Sequence, residues 1–369
     1  MSSNRIAVGT RKGLLLFKKA NGAWSIARED FLGVHVSYAE IDPRANTLYA
    51  CLDHGHWGNK LHRSVDRGYT WKEIPAPAYP EGATVGKSPF SDENAKPQPA
   101  VLRYQWSLAS APDNRKGRIY IGTDPGGLFV SDDEGDSFQL VEALWNHPSR
   151  ADSWFGGGRD QPGIHSIMID PRNSDHIHVG ISCAGHFVTE DGGQSWEPRN
   201  KGLTADFLPN PNVNVGHDPH LIVQCQSEPD KLWQQNHCGI FRSVDCGLNW
   251  NNVSESGGPA HFGFTIAVDP ANGDIAWVVP ALSDEQRVAI DRKLCVCRTD
   301  DGGQTWQQFR EGLPQEDCFD FAFRHGMALS DDNLVIGTAC GSLYFSDDRG
   351  ETWQAIANHL PPVYSVRFV

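Results

Sequence analysis

The chain has 369 residues, with 32 Lys+Arg against 46 Asp+Glu and a net charge of −14. That balance repels phosphate backbones and anionic lipid, which argues against nucleic acid and membrane surfaces as partners; a small-molecule substrate is the expected partner. Charged residues at 21% and aromatics at 10% exclude a disordered acidic chain, and 37 Gly with 23 Pro point to many tight turns and an all-β architecture.

Residues 5–24 (RIAVGTRKGLLLFKKANGAW) read as second, third and fourth strands of a sheet that ends in Trp24 and lacks its first strand. From residue 35 one unit recurs six times. It consists of an apolar run ending near Asp-Pro, a short strand, a Gly-apolar-aromatic strand and an eight-residue turn. The turns are SVDRGYTW at 64, SDDEGDSF at 131, TEDGGQSW at 189, SVDCGLNW at 243, TDDGGQTW at 299 and SDDRGETW at 346. In each, the Asp side chain caps backbone N–H groups, Gly supplies a positive φ, and the terminal aromatic wedges between sheets. Asp66, Asp133, Asp191, Asp245, Asp301 and Asp348 are therefore structural. The last residues, 363–369 (VYSVRFV), read as a first strand with nothing after it.

Joining the two ends completes a seventh unit. The predicted fold is an all-β, seven-bladed β-propeller over 1–369, its ring closed by the C-terminal strand pairing into the N-terminal blade. Blade 1 is 5–34 plus 363–369, followed by blades at 35–104, 105–162, 163–217, 218–260, 261–318 and 319–362. The longest early apolar run, Leu14–Phe17, is too short for a signal h-region or a membrane span. Nine cysteines without a Cys-x-x-Cys pair suit reduced thiols, so a cytoplasmic protein is expected.

The six boxes resemble the Asp-box (bacterial neuraminidase repeat) propellers, which include sialidases, seven-bladed xyloglucanase-type hydrolases, the sortilin-type receptor domain and a photosystem II assembly factor. The whole layout is similar to bacterial proteins described as sialidase-like or glycosyl-hydrolase-like. The resemblance implies the fold across nearly the whole chain, and it leaves function to the site. Sialidases have six blades and an Arg-Ile-Pro start. Here Arg-Ile stands at 5–6 and 118–119, and Pro follows neither.

In a propeller the first strand of each blade lines the channel, and the box turns lie on the opposite face from the loops that enter it. Aligning the first strands by their Asp-Pro ends puts Ser37, Trp106, His165, His220, Phe264, Arg324 or His325, and Tyr364 at the channel mouth. The loops between second and third strands add His54, His56, His186 and His237 with Cys183, Cys238 and Cys340. The segments 72–104, 139–163 and 197–218 are long enough to be functional. Trp57, Trp106, Trp145 and Trp154 are not box wedges and fall on this face, where flat rings stack on sugars.

His165, His220 and His237 are the expected catalytic group. They act as a general base or as ligands of one divalent transition metal (Mn, Zn, Fe or Ni), and no nucleotide cofactor is expected. The layout is similar to propeller lyases that hold a divalent metal with channel-facing histidines. Arg150 and Arg159, flanking a triple Gly in 148–165, would bind an anionic group, and Trp106, Trp154 and Trp57 would stack. Asp124 is the acid singled out among Asp53, Asp124, Asp152, Asp160, Asp206, Asp218, Asp284 and Asp320. The reading that follows is elimination or hydrolysis of a small polar, carboxylated or sugar-like substrate. Its alternatives are a non-catalytic binding or assembly propeller, and a metal-independent glycosidase with a carboxylate pair.

Overall fold

Each box is closed by its own side chains. The Ser or Thr hydroxyl accepts the amide of the Gly four residues on, at 2.7–2.9 Å. That Gly has φ between 79° at Gly247 and 97° at Gly193, a region open to it because it has no Cβ. The box Asp accepts the amide two residues further on, as Asp245 does from Asn249 at 2.9 Å. A hairpin therefore forms from eight consecutive residues, whatever its neighbours do.

The computed structural model describes residues 4–85, 96–112 and 115–369. Among these residues the strands form seven four-stranded sheets and one two-stranded ribbon. The innermost strands, in ring order, are Val363–Phe368, His35–Asp42, Tyr104–Ser110, Ile164–Ile169, Pro219–Gln224, Gly263–Val268 and Met327–Ser330. Blade 1 is composite: Val363–Phe368 pairs antiparallel with Arg5–Thr10, Ile6 opposite Phe368. The fold is the seven-bladed propeller that the boxes imply. Among the described residues no helix is long and apolar enough to cross a membrane.

Aromatic side chains staple neighbouring blades. From the second strands, the Tyr49 hydroxyl donates to the Glu134 carbonyl at 3.1 Å, Trp233 Nε1 to Gly273 at 2.9 Å and Trp277 Nε1 to Arg349 at 2.8 Å, each in the next blade. The box wedges Trp250 and Trp306 donate backwards, to Arg199 and Val253. Each such ring buries apolar area while its polar edge finds a carbonyl that the ladder leaves open.

The pairing register decides what faces the axis. In blades 1 to 6 the ladder between the innermost strand and its neighbour slips near the same end. The slip leaves out Tyr364, Ser37, Trp106, His165, His220 and the pair Phe264–Thr265. A bulged residue is freed from the ladder and its side chain is re-aimed. In blade 7 the strand starts only at Met327, so Arg324 and His325 precede it. The box turns lie at the other end, bonded to the loops between first and second strands: the Glu134 amide donates to Gly117 and the Cys246 amide to Asp230, both at 2.9 Å.

Between blades 4 and 5, His178 stacks on His186 at 5.1 Å and meets His176 at a tilt at 4.6 Å, with His186 also against Trp250 at 5.5 Å. His186, expected on the loop face, is an interblade residue: its ring packs against Trp250 of blade 5, with Nδ1 held 3.2 Å from the Arg199 carbonyl of its own blade. Burial pushes its pKa down to about 3. It is neutral when folded and titrates near 6.5 when unfolded, so proton binding favours the unfolded chain. Its contribution is complete above pH ~6.5 and falls by about 1.4 kcal/mol per unit below that. The urea midpoint is accordingly expected to drop between pH 7 and pH 5, and an unchanged midpoint over that range would contradict this account.

Candidate functional site

Five of the re-aimed residues, Ser37, Trp106, His220, Phe264 and Tyr364, line a pocket of about 300 Å³ at the mouth. Its wall is an almost continuous chain of rings. His220 stacks on Phe264 at 4.7 Å, Phe323 on Tyr364 at 5.0 Å, Tyr364 meets His35 at 4.3 Å, and Tyr104 meets Trp106 at 5.9 Å. These rings come from different blades, so the propeller symmetry brings together residues that are far apart in the chain.

On one side of the pocket Asp218, His220 and His237 place one ligand atom each within 4.8 Å of one another. Asp218 is split in function. Its Oδ1 accepts from the Ser182 hydroxyl at 3.0 Å and the Cys183 amide at 3.1 Å, while Oδ2 lies 3.6 Å from His220 Nε2 and 3.8 Å from His237 Nδ1. His220 Nδ1 is 2.6 Å from the Gly263 carbonyl. Burial, outweighing the attraction of Asp218, lowers the His220 pKa and keeps the ring neutral. Burial pushes Asp218 the other way, but the close His220 ring and the positive charge of Arg324 across the pocket hold it well below the usual carboxylate range. The His237 ring is walled by Phe207 at 4.9 Å and Phe262 at 6.0 Å.

Three arginines face the same pocket. Arg159 lies over Tyr104 at 3.8 Å and pairs with Asp124 at 3.1 Å. Arg287 lies over Phe264 at 5.1 Å and pairs with Asp284 at 2.5 Å. Arg324 lies over both Trp106 and Phe264, at 5.1 and 5.7 Å. Asp124 is 2% exposed; its Oδ1 has no partner among the described residues, and burial raises its pKa despite Arg159.

The structure keeps His220, His237, Arg159 and Trp106 on the pocket and Asp124 beside it. His165 is replaced in the cluster by Asp218. Its ring sits under Trp106 at 5.6 Å with Nδ1 2.9 Å from the Ser166 hydroxyl, and it lines the channel below the mouth. Arg150 is turned inward, 3.7 Å over Trp145 and 2.8 Å from the Gly126 carbonyl. Trp154 is buried on Phe187 and donates to the Ser149 hydroxyl. Trp145 is buried too, whereas Trp57 is 70% exposed beside His56, away from the mouth. Burial raises the Cys238 thiol, so it is no activated nucleophile.

The triple Gly serves close packing as much as access. A Cβ at Gly157 would collide with Cys183 Sγ and one at Gly156 with the Asp160 carbonyl; beyond the triplet, one at Gly163 would meet the Trp106 ring at 2.5 Å. Of the segment 72–104, residues 86–95 lie outside the described residues. Its Tyr79 pegs into blade 3, 2.6 Å from the Thr123 hydroxyl. Sequence reasoning missed Arg287, Phe207, Phe323 and Tyr104. Arg287 and Phe207 stand on loops with no counterpart in other blades, so no alignment of repeats finds them.

The BNR/Asp-box repeat profile matches residues 344–355, the sixth box hairpin. Among curated proteins, the oligoxyloglucan-reducing end-specific xyloglucanase of Emericella nidulans is 24% identical over 53% of this chain and 20% of its own length. A xyloglucanase of a Paenibacillus species is 23% identical over 66% of this chain and 24% of its own length. The chain therefore spans a quarter or less of these relatives. The solved structure of an ancestral GH74 enzyme superposes with a TM-score of 0.59 at 19% identity, covering 88% of this chain and 38% of that one. Repeat and architecture together make the protein a seven-bladed Asp-box propeller, similar in fold to the ancestral GH74 enzyme.

Proposed function

We propose that the protein is a hydrolase acting on a small polar, sugar-like or carboxylated substrate at the channel mouth, with Asp218, His220 and His237 holding a divalent transition metal. The observation that carries this reading is the approach of His220 Nε2 to Asp218 Oδ2 at 3.6 Å. The Gly263 carbonyl can only accept, so the proton of the neutral ring sits on Nδ1 and Nε2 turns a lone pair toward the carboxylate. The gap is too long for a hydrogen bond. Two acceptors so placed repel unless a cation lies between them, and the spacing is close to the ~3.4 Å edge of a tetrahedron with bonds of about 2.1 Å.

Two imidazoles and one carboxylate suit Zn, Fe, Mn or Ni and leave further coordination positions. Bound there, such an ion supplies Lewis-acid polarisation. The chain orients the donors: Ser182 and Cys183 fix the Asp218 carboxylate, and Gly263 fixes the His220 tautomer. The aromatic wall offers faces to a sugar-like ring. The similarity to xyloglucanases supports hydrolysis over elimination.

Protein made without a histidine tag and dialysed against each of the four metals is expected to retain close to one equivalent by elemental mass spectrometry. Retention of none overturns the metal. A metal-free glycosidase has one observation in its favour: Asp124, beside the pocket, is buried with an Oδ1 that no described residue meets, and burial raises its carboxyl in the direction a general acid needs. Turnover that survives chelation and is lost in Asp124→Asn would establish that second reading instead.

A further inference from the structure

We propose that Arg324 anchors a carboxylate of the substrate, so that the ligand of this pocket is a small monocarboxylic acid; this rests on the mouth being the substrate site. Arg324 belongs to blade 7, yet its guanidinium lies against Trp106 of blade 3 and Phe264 of blade 6. It therefore reaches across the channel axis and closes the bottom of the pocket. Flanking rings fix the plane of the fork, which leaves its edge as the functional surface.

Among the described residues the Arg324 guanidinium makes no ion pair, and its Nε is buried without a hydrogen-bond partner. In a chain with 46 acidic residues, an inward-facing arginine without a carboxylate is a conspicuous exception, because an unpaired charge away from water is strongly disfavoured. The other two pocket arginines show the ordinary solution, Arg159 with Asp124 and Arg287 with Asp284. Asp218 does not fill the gap, since both its oxygens are directed to Ser182, Cys183 and the two histidines.

The geometry of the open fork then selects the ligand. Arg159 and Arg287 already hold carboxylates of the chain, and the one fork whose edge is left open is flat, which matches a planar carboxylate better than a tetrahedral phosphate. A carboxylate also presents two coplanar oxygens at the spacing that a guanidinium edge accepts. The pocket, at about 300 Å³, is at the small end of ligand sites (~300–1,000 Å³) and suits a single ring or a short chain.

Calorimetric titration of the full chain with acetate, lactate, D-gluconate and D-glucuronate, set against D-glucose and inorganic phosphate, tests this directly. At least one of the acids is expected to bind tenfold or more tightly than glucose and than phosphate. Arg324→Gln is expected to lose that tenfold preference with its metal content unchanged, and Arg324→Lys to keep part of it. The proposal is overturned if none of the four acids outbinds glucose, if phosphate binds tightest, or if a folded Arg324→Gln protein binds the acids as wild type does. The wild-type comparison stands even if the variants fail to fold. Preference for an acid in protein that retains none of the four metals would sustain Arg324 while the metal reading fell, so the two failures are distinguishable.

Discussion

The His220→Ala protein is expected to bind zinc or manganese at least about 100-fold more weakly than wild type, while His165→Ala binds as wild type does. The two histidines occupy equivalent bulges in adjacent blades, so the contrast isolates what the neighbours of each do. His220 presents Nε2 to Asp218 Oδ2 with its other nitrogen pinned to Gly263, which makes it an oriented donor already before any ion arrives. His165 is covered by Trp106 and turned to Ser166. Competition with a chelating fluorophore reads both affinities on one scale. Equal weakening in the two variants would return His165 to the site, and no weakening in His220→Ala would remove the cluster as a metal centre.

Stability is expected to fall most at Trp233. Its side chain is fully buried in blade 5, meets Trp306 edge-on at 6.2 Å, and donates Nε1 to Gly273 of blade 6 at 2.9 Å. Trp233→Ala removes a large apolar surface, opens a cavity between two rigid sheets that cannot collapse, and strands a carbonyl. Loss of about 3–5 kcal/mol is expected in urea unfolding. Trp233→Phe keeps most of the ring but not the N–H, and about 1–2 kcal/mol is expected from the lost bond and smaller ring. An alanine variant within 1 kcal/mol of wild type would contradict the stapling of blades by this ring.

The fold was readable because each Asp-box is a local object. Asp245, Ser243, Gly247 and Asn249 complete one another's hydrogen bonds within seven residues, so the hairpin is written in consecutive letters. The mouth was readable in part for a related reason. Trp106, His220, Phe264 and Tyr364 come from one register position, and aligning strands by their Asp-Pro ends finds it. What that alignment misses is size. His165 holds the same position, but a bare Gly163 lets the Trp106 indole settle over it. Arg150 and Trp154 were misplaced because their loop folds on itself, with the guanidinium stacked between Trp145 and Trp154. Side-chain stacking within a loop has no period to betray it. Asp218 was one acid among eight until the His220 ring singled it out.

Ring closure has a consequence for how the molecule assembles. Blade 1 takes its innermost strand from Val363–Phe368 and the rest from the first thirty residues, so Ile6 pairs with Phe368 across nearly the whole chain. Contacts of such high sequence separation form late, because the loop-closure entropy must be met before they add stability. Blades 2 to 7 can fold as local hairpin units, but the seam waits for residue 363 onward. Tyr364, which faces the pocket between His35 and Phe323, is carried by that same strand. The wall of the pocket is therefore completed in the step that seals the ring, and a partly folded chain has no finished site to expose.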